Sequence, residues 1–473
     1  MLKSFTIWSL GCKVNQYESQ QIRELLQQFG LDAVSPEKQP DLIVVNTCCV
    51  TATASAKSRQ AIRRLQRQCP HATVVVCGCL PSGPTKEFSG LAKHLLFVQD
   101  REALAAELAR LTGKAASTRF EESAAKHSFV TIKTDPNIKI KAEDNQYTPQ
   151  LPLLTHFGKQ TRAFLKVQDG CDAHCSYCII PRVRPKLSSK PLDQAVAEAQ
   201  ALILSGHKEI VITGVFLGAY GQDTTRRLLW KPSERTHLGT LLARLAQVPN
   251  LPRIRLSSLE PADVTKDLLN VMAAHPCIMP HLHLSLQSGT DDVLKRMGRR
   301  YTTAEYRTVV NLTRKKLDRP ALTTDIIVGF PGETETNFEQ TLAFARAVGF
   351  AKIHVFAYSP RAETPAARLK NPVDNRVIQE RSERLRQLDS ELGAAYRRQF
   401  LGQQAEVLIE DAGDTPSGLS ERYFKVSVAN PLRQLTKNDL VDVQLTTLTE
   451  DGLEGSLTIS ESSSPPQTDI IAP

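Results

Sequence analysis

Short apolar segments typical of buried strands alternate with helical segments along most of this 473-residue chain. A first run spans residues 5–111, with strands predicted at 5–10, 41–46 and 73–77 and a final strand and helix at 94–111. A second run spans residues 163–400, with strands predicted at 163–168, 209–213, 253–257, 281–285, 322–328 and 352–356. Strands separated by helices pair in parallel, so the alternation excludes an all-helical or an all-antiparallel fold for these regions.

The pattern predicts an α/β protein with three folded parts. A doubly wound parallel sheet is expected at residues 1–112, a linker at 113–156 and a partial (β/α)6 barrel at 157–398. Residues 399–460 alternate apolar and polar residues between Gly and Asn turns, which is typical of a small antiparallel β-barrel. The Ser- and Pro-rich end, 461–473, is predicted to be disordered. No apolar run approaches the roughly 20 residues of a membrane span, so we expect a cytoplasmic protein without a membrane partner.

The net charge of +9 is unevenly distributed along the chain. From Gln399 to the end there are 4 basic and 12 acidic residues, so the preceding part carries the whole positive excess. A basic body suits a polyanionic partner, with nucleic acid as the leading candidate, although a merely soluble surface has the same composition. The acidic C-terminal part is a poor electrostatic match for RNA unless Arg422, Lys425, Arg433 and Lys437 gather on one face.

The ten cysteines are too few for a disulfide scaffold in a chain of this length, and they are clustered. Cys171, Cys175 and Cys178 form a C-x3-C-x2-C loop directly after a predicted strand. Three thiolates on one tight loop can hold three irons of a [4Fe–4S] cluster and leave the fourth iron open for a ligand. The alternatives are a zinc site that uses His174 as a fourth ligand, and three unconnected thiols.

A second group of cysteines follows the predicted strands of the N-terminal run, with Cys12, Cys48 and Cys79 each close to a strand end. Carboxyl ends of neighbouring parallel strands converge on one crevice, so we expect these thiols to meet at one metal centre. The alternative is that each cysteine is simply a small buried hydrophobe. Three other cysteines are predicted to be structural: Cys49, Cys69 and Cys77.

The cysteine loop after the first barrel strand resembles that of the radical S-adenosylmethionine enzymes. With the N-terminal cysteines before it and a small β-barrel after it, the chain from about residue 5 to residue 459 is similar to the methylthiotransferase family. Further matching segments are ITGVFLGAYG (212–221), RLSSLEP (255–261), LHLSLQSG (282–289), TDIIVGFPGET (324–334) and FAYSPRAETPA (356–366). Where the family often has Gly-Thr in the last segment, this chain has Glu363 and Thr364, which changes a loop but no ligand.

The resemblance implies two [4Fe–4S] clusters, one on the Cys171 loop and an auxiliary one on Cys12, Cys48 and Cys79. It implies that S-adenosylmethionine binds the open iron and that its reductive cleavage gives a 5′-deoxyadenosyl radical. It further implies transfer of a methyl group from a second S-adenosylmethionine to a sulfur on the auxiliary cluster, followed by methylthiolation of carbon 2 of an adenosine in tRNA. An electron donor such as flavodoxin or ferredoxin and a C-terminal RNA-binding module of the TRAM type belong to the same expectation.

The stretch after the first of these cysteines helps to separate branches of the family. GCKVNQYES (11–19) resembles the MtaB-type branch, which acts on N6-threonylcarbamoyladenosine next to the anticodon and gives its 2-methylthio derivative. The alternatives are the same chemistry on isopentenyladenosine in tRNA or on a ribosomal protein. A more remote alternative is a non-catalytic iron–sulfur protein that binds RNA or carries electrons.

Candidate contacts to S-adenosylmethionine are polar residues and a glycine at the barrel strand ends, although ordinary loop capping explains such residues equally well. They are Gly214, Ser257, Glu260 and Gln287. Candidate RNA contacts are basic residues on one predicted helix and in one later patch, although a solvated surface has the same sequence. They are Lys57, Arg59, Arg63 and Arg67 on the helix, and Arg299 and Arg300 in the patch.

Overall fold

The computed structural model describes residues 2–80, 95–98, 101–113, 151–158, 160–230, 237–429 and 434–458. Most of the predicted linker at 113–156, the predicted disordered tail at 461–473 and Arg433 lie outside these residues. No helix within the described ranges combines the length and the apolar character needed to cross a membrane.

The N-terminal part is a five-stranded parallel sheet with helices on both faces, as the alternating pattern predicts. Its strands are β1 (Ser4–Ser9), β2 (Asp32–Ala33), β3 (Leu42–Thr47), β4 (Thr73–Gly78) and β5 (Leu95–Phe97), in the order β2-β1-β3-β4-β5. Its helices are α1 (Lys13–Gln28), α2 (Ala52–Gln68) and α3 (Arg101–Thr112). Alternate residues of β3 point to opposite faces, so Leu42 and Val44 pack with α1 and α3 while Ile43 and Val45 pack with α2.

The central part is a partial barrel of six parallel strands, which confirms the predicted fold class. Its strands are β6 (Arg162–Asp169), β7 (Ser188–Ser189), β8 (Glu209–Gly214), β9 (Arg253–Leu256), β10 (His281–His283), β11 (Ala321–Val328) and β12 (Lys352–Ala357). The short β7 is an antiparallel edge strand beside β6. The helices are α4 (Ile180–Val183), α5 (Leu192–Leu204), α6 (His237–Leu245), α7 (Lys266–Ala274), α8 (Asp291–Arg296), α9 (Thr303–Lys316), α10 (Glu335–Val348) and α11 (Asn375–Arg398).

Two sheets, β7-β6-β8-β9 and β10-β11-β12, make up this barrel. Single bridges such as Leu259 with Leu284 join them across the gap between β9 and β10. Strand residues on one face, such as Ile212 and Leu282, pack with the surrounding helices in one apolar core. Because side chains alternate along a strand, the residues between them face the inside of the barrel, and many of these are charged or polar.

The C-terminal part is a closed five-stranded barrel. Its strands are β13 (Gln404–Asp411), β14 (Ser417–Ser420), β15 (Lys425–Val428), β16 (Leu440–Leu448) and β17 (Gly452–Leu457), in the order β13-β14-β15-β17-β16. The predicted antiparallel pattern holds for every pairing except β15 with β17, which run parallel. A parallel pairing needs a longer connection than a hairpin, and β16 lies between these two strands in sequence.

The C-terminal barrel packs against the amino ends of the central strands, on the face opposite the cysteine loop. The fully buried Arg253 donates from Nε to Glu406 Oε1 at 2.8 Å and from Nη1 to the Leu419 carbonyl at 3.0 Å. Arg162 Nε lies 2.6 Å from Glu410 Oε1. Acidic side chains of this barrel therefore neutralise arginines at the base of the central barrel.

Candidate active site

The Cys171 loop leaves the carboxyl end of β6 through a turn that only glycine can form. Gly170 has a φ of +78°, and a Cβ added there would lie 1.9 Å from the Lys186 carbonyl oxygen. Cys171 N–H then donates to the Arg184 carbonyl at 2.9 Å. The loop is thus held between β6 and the residues that follow α4.

The segment after α8 supports the same loop from the other side. Ser176 N–H donates to the Met297 carbonyl at 2.8 Å, and its hydroxyl donates to the Arg296 carbonyl at 2.8 Å. A Cβ on Gly298 would lie 2.6 Å from the His174 carbonyl oxygen, so the two backbones are in close contact. The loop geometry is therefore fixed by contacts that do not involve the thiols.

The thiols of this loop are better suited to bind a metal than to remain in contact with water. Burial raises the pKa of Cys171 to about 11 and that of Cys178 to about 12, with the neighbouring Cys175 acting in the same direction on both. Without a ligand these two thiols are protonated at neutral pH, whereas coordination by iron favours the thiolates. The described donor set of three clustered sulfurs fits an iron–sulfur cluster with one open iron.

Arg299 connects this loop to Glu260. Arg299 Nη1 donates to Cys175 Sγ at 3.2 Å, and its Nη2 lies 2.8 Å from Glu260 Oε1. Arg227 Nη2 also lies 2.8 Å from Glu260, and Arg300 Nη2 is 3.9 Å away. Burial raises the pKa of Glu260, but Arg299 and Arg227 outweigh burial and lower it overall. The Arg299 side chain is 6% exposed, so it faces the cysteine loop rather than the surface predicted for an RNA contact.

The other candidate contacts to S-adenosylmethionine lie at the strand ends around the same loop. Ser257 directly follows β9, and its buried hydroxyl is among the polar atoms of the described residues that have no hydrogen-bond partner. Gln287 has a φ of +68°, a strained value for a non-glycine residue that is common at functional sites. A Cβ on Gly214 would lie 3.0 Å from Gln168 Cβ, so close strand packing also explains that glycine. The free Ser257 hydroxyl fits a polar ligand held at this edge.

The structure brings the N-terminal cysteines together at neighbouring strand ends. Cys12 precedes α1 as its N-cap, while Cys48 and Cys79 follow the adjacent strands β3 and β4. Cys48 Sγ lies 3.0 Å from the position of a Cβ on Gly11, beside Cys12. Burial raises the pKa of Cys48 to about 11, with the thiols of Cys79 and Cys12 acting in the same direction. This donor set also fits an iron–sulfur cluster.

A buried ion network joins the two cysteine groups. Arg184 Nη2 lies 2.8 Å from Glu18 Oε2 on α1, and its Nη1 lies 2.7 Å from Asp169 Oδ1 at the end of β6. Lys166 lies 3.0 Å from Glu18 and 2.9 Å from Asp169. Arg184 Nε also donates to Cys79 Sγ at 3.4 Å, while its carbonyl accepts from Cys171. One residue thus contacts both candidate cluster sites.

Sequence reasoning missed a polar group inside the barrel on three adjacent strands. His283, Asp325 and His354 offer ligand atoms within 4.8 Å of one another. His283 Nε2 lies 3.2 Å from Asp325 Oδ2, and the His283 and His354 rings are 5.6 Å apart. Lys13 interacts electrostatically with Asp325, and burial lowers the pKa of Lys13 to about 8. The alternation of His281 and His283 along one strand was the available sequence signal.

The predicted RNA-binding residues on α2 form an arginine stripe, defined here as Arg59, Arg63 and Arg67. Arg63 and Arg67 are exposed, and they take part in no ion pair among the residues the structure describes. Lys57, two residues before Arg59 on the same helix, is exposed as well. Arg300 is partly exposed and donates to the Thr225 carbonyl at 2.7 Å. The stripe and Arg300 therefore stay predictions as RNA contacts.

Comparisons with known proteins give matches for the N-terminal part and for the central part of the chain, which contain the two cysteine groups. Residues 4–98 match the family described as Uncharacterized protein family UPF0004, and residues 165–345 match the Radical SAM superfamily. The chain is 36% identical to the threonylcarbamoyladenosine tRNA methylthiotransferase MtaB of Chlamydia pneumoniae, covering 96% of this chain and 98% of that protein. It is 33% identical to the tRNA-2-methylthio-N(6)-dimethylallyladenosine synthase of Zymomonas mobilis, covering 96% of each.

The fold of the chain also resembles that of a solved radical S-adenosylmethionine methyltransferase, TsrM from Kitasatospora setae. The TM-score is 0.51 at 14% identity, and the match covers 78% of this chain and 75% of the other. A likeness at this identity concerns the fold alone.

Proposed function

Because the chain belongs to the MtaB-type radical S-adenosylmethionine methylthiotransferases, we propose that it methylthiolates carbon 2 of N6-threonylcarbamoyladenosine next to the tRNA anticodon. The observation that carries this substrate is the 36% identity, over nearly the full length of both chains, to the Chlamydia pneumoniae enzyme of that name. The second candidate is the dimethylallyl-bearing adenosine of tRNA, favoured by the 33% identity to the Zymomonas mobilis synthase.

Two groups of residues would hold the iron–sulfur clusters of this enzyme. Cys171, Cys175 and Cys178 would hold the one that binds S-adenosylmethionine, and the N-terminal cysteines would hold a second. When bound, these groups supply the radical and sulfur-transfer chemistry that an unactivated C–H position requires. The presence of two clusters rests on the two separate thiol groups and is part of the proposal.

The side chains of this protein contribute binding, charge and orientation. Arg299 presents a guanidinium to the Cys175 sulfur and stabilises negative charge on that ligand. Ser257 would donate its free hydroxyl to S-adenosylmethionine, and Gln287 shapes the strand end beside it. Arg184 contacts both Cys79 and the Cys171 loop, and it would keep the two cluster sites in one relative orientation.

The positively charged surfaces of the protein would bind the tRNA and, separately, the protein that donates electrons to the enzyme. The arginine stripe and Arg300 would contact phosphates, which bind RNA without reading its sequence. An electron donor such as flavodoxin or ferredoxin would supply the reducing electron. The C-terminal barrel is acidic, and only two of its carboxylates in the described ranges, Glu406 and Glu410, pair with arginines at the base of the central barrel. We therefore assign it a smaller share of RNA binding.

The test is a reaction of the reconstituted protein with tRNA that carries either threonylcarbamoyl- or dimethylallyladenosine. With S-adenosylmethionine and a reductant, nucleoside mass spectrometry should show 2-methylthio-N6-threonylcarbamoyladenosine from the first tRNA. The Cys175→Ala variant is the matched control and should form neither product nor 5′-deoxyadenosine. Product from the dimethylallyl tRNA alone would replace the proposed substrate with the second candidate.

A further inference from the structure

Two adjacent leucines between β8 and α6 are strongly exposed to solvent. Leu228 is 95% exposed and Leu229 is 67% exposed, and both belong to a single short helical turn at Arg227–Leu229. Single exposed leucines are common on protein surfaces, but two adjacent ones form a small apolar patch, and such patches mark interaction sites. The question is therefore what covers this patch.

The residues around the two leucines fix the turn to the rest of the protein. Trp230 is buried, and its indole Nε1–H donates to the Thr224 carbonyl at 2.7 Å. Arg227 Nη2 lies 2.6 Å from Asp263 Oδ1. The backbone is thus held on both sides of the leucines, and it presents them in a fixed position. A preorganised surface loses little entropy when a partner binds it.

The same segment lies directly on the Cys171 loop. Thr225 N–H donates at 2.7 Å to Oδ1 of Asp172, the residue after the first cysteine of the loop. Arg226 Nη2 lies 3.2 Å from Nε2 of His174, an exposed residue between two of the cysteines. A partner that covers the segment therefore comes close to the candidate cluster ligands without entering the barrel.

The charge around the leucine pair is positive. Arg226 is exposed and makes no ion pair among the described residues. Lys295 is exposed as well, one turn before Gly298, which lies against the His174 carbonyl. Asp223 is an exposed carboxylate of the same segment, so the excess is modest locally, but the part of the chain before residue 399 carries the whole positive excess. These charges attract an acidic partner.

The apolar character of the patch favours a protein partner over RNA. Unpaired bases stack on aromatic rings or guanidinium planes, and leucine offers neither. The nearby rings of Phe216 and Trp230 already have Arg227 over one face, at 5.4 and 5.8 Å. An apolar centre with a charged rim is typical of protein interfaces. Two leucines are too few for a permanent subunit contact, but they suit the small interfaces, below about 1,200 Å², of transient electron-transfer complexes.

We propose that Arg226, Leu228 and Leu229, called here the leucine rim, dock the acidic protein that donates electrons to the enzyme. This inference rests on the proposed function and adds the place where the reductant binds. One electron leaves the reduced flavin or iron–sulfur centre of the donor and enters the cluster on the Cys171 loop. The donor is oxidised, the cluster is reduced and no atom is transferred.

The experiment compares two reductants on the reconstituted Leu228→Ser/Leu229→Ser variant. With dithionite, a small inorganic ion that needs no docking surface, 5′-deoxyadenosine should form at the wild-type rate. With reduced flavodoxin, an acidic flavoprotein, we expect the KM for flavodoxin to rise by about tenfold, because the apolar contacts are lost. Leu204→Ser, at a leucine that is 82% exposed at the end of α5, is the matched control and should behave as wild type with both reductants.

Binding is measured separately, so that the result does not depend on turnover. When oxidised flavodoxin is titrated into the reconstituted protein in a calorimeter, the Kd of the double variant should be weaker by the same factor of about ten. Arg226→Gln should weaken binding by about threefold at low ionic strength and by less as salt is added, because salt screens an exposed charge. The iron content of each variant shows whether the protein is intact.

Other outcomes contradict the inference. Equal KM and Kd values for flavodoxin in the wild type and the double variant would show that the leucine rim is not the docking site. A similar loss with dithionite would show that the leucines support the cysteine loop instead of a partner. Weaker tRNA binding with unchanged flavodoxin binding would assign the patch to RNA. If the wild type modifies neither tRNA, the proposed function fails, while the flavodoxin titration still decides the docking site.

Discussion

Replacing Arg184 with methionine should destabilise the protein by about 3–5 kcal/mol, because it removes the guanidinium that pairs with the buried carboxylates of Glu18 and Asp169 and leaves Lys166 alone to neutralise both. Glu18 and Arg184 are both nearly fully buried, and their side chains are 2.8 Å apart. Burial raises the pKa of Glu18, but Lys166 and Arg184 outweigh burial and lower it to about 2. Against an ordinary value of 4.5, this shift corresponds to about 3 kcal/mol at neutral pH, which Lys166 and Arg184 supply together.

The pH dependence of the unfolding free energy has a defined sign. The folded pKa of Glu18 lies below the unfolded value, so its ion pairs contribute fully above pH 4.5 and are lost as the pH falls towards 2. The difference in unfolding free energy between wild type and Arg184→Met should therefore be constant above about pH 5 and shrink below it.

The assay is anaerobic urea unfolding of the cluster-free proteins, followed by the fluorescence of Trp8 and Trp230. These tryptophans lie in the N-terminal sheet and in the central part, so they report on both sides of the network. The double variant Glu18→Gln/Arg184→Met keeps the Lys166–Asp169 pair and should recover about 1–3 kcal/mol relative to Arg184→Met. A single-variant cost below about 1 kcal/mol, or strictly additive effects, would refute the reasoning.

Three further outcomes are expected from the remaining sites. Cys48→Ala should lower the iron content of the reconstituted protein by about half, whereas Cys49→Ala, the adjacent buried thiol, should leave it unchanged. Ser257→Ala should weaken S-adenosylmethionine binding by about tenfold in equilibrium dialysis, with the iron content preserved as control. Replacing the arginine stripe with glutamine should reduce the slope of log affinity for tRNA against log salt concentration by about one unit for each phosphate that is no longer neutralised. An unchanged slope would exclude the stripe from the interface.

The placement of Cys48 and Cys79 at neighbouring strand ends could be predicted because parallel strands end at a common edge. That argument needs only strand order and direction, which hydrophobic patterning supplies for Cys48 and Cys79. The start of α1 at Lys13 is harder to predict, because the first turn of this helix has no apolar periodicity. The pattern therefore missed that Cys12 occupies the N-cap position of this helix.

The placement of Arg299 could not be read from the sequence. Two adjacent arginines after a short helix look like an exposed basic patch, and only the fold shows that this turn lies against the cysteine loop. Glu260 stays a prediction as a contact to S-adenosylmethionine, but its ion pairs with Arg299 and Arg227 could not be predicted from the sequence. Long-range ion pairs of this kind depend on chain crossings that local patterns do not encode.

The contact between the two barrels has a consequence for any minimal version of this enzyme. Arg253 and Arg255 are fully buried at the base of the central barrel, and backbone carbonyls of the C-terminal strands accept their hydrogen bonds. The Tyr423 ring also stacks 4.0 Å from His281, the first residue of β10. A chain truncated after α11 would open this floor to water and leave its guanidinium groups short of acceptors. The central barrel and the C-terminal barrel thus depend on each other structurally. A protein shortened after α11 therefore cannot represent the whole enzyme.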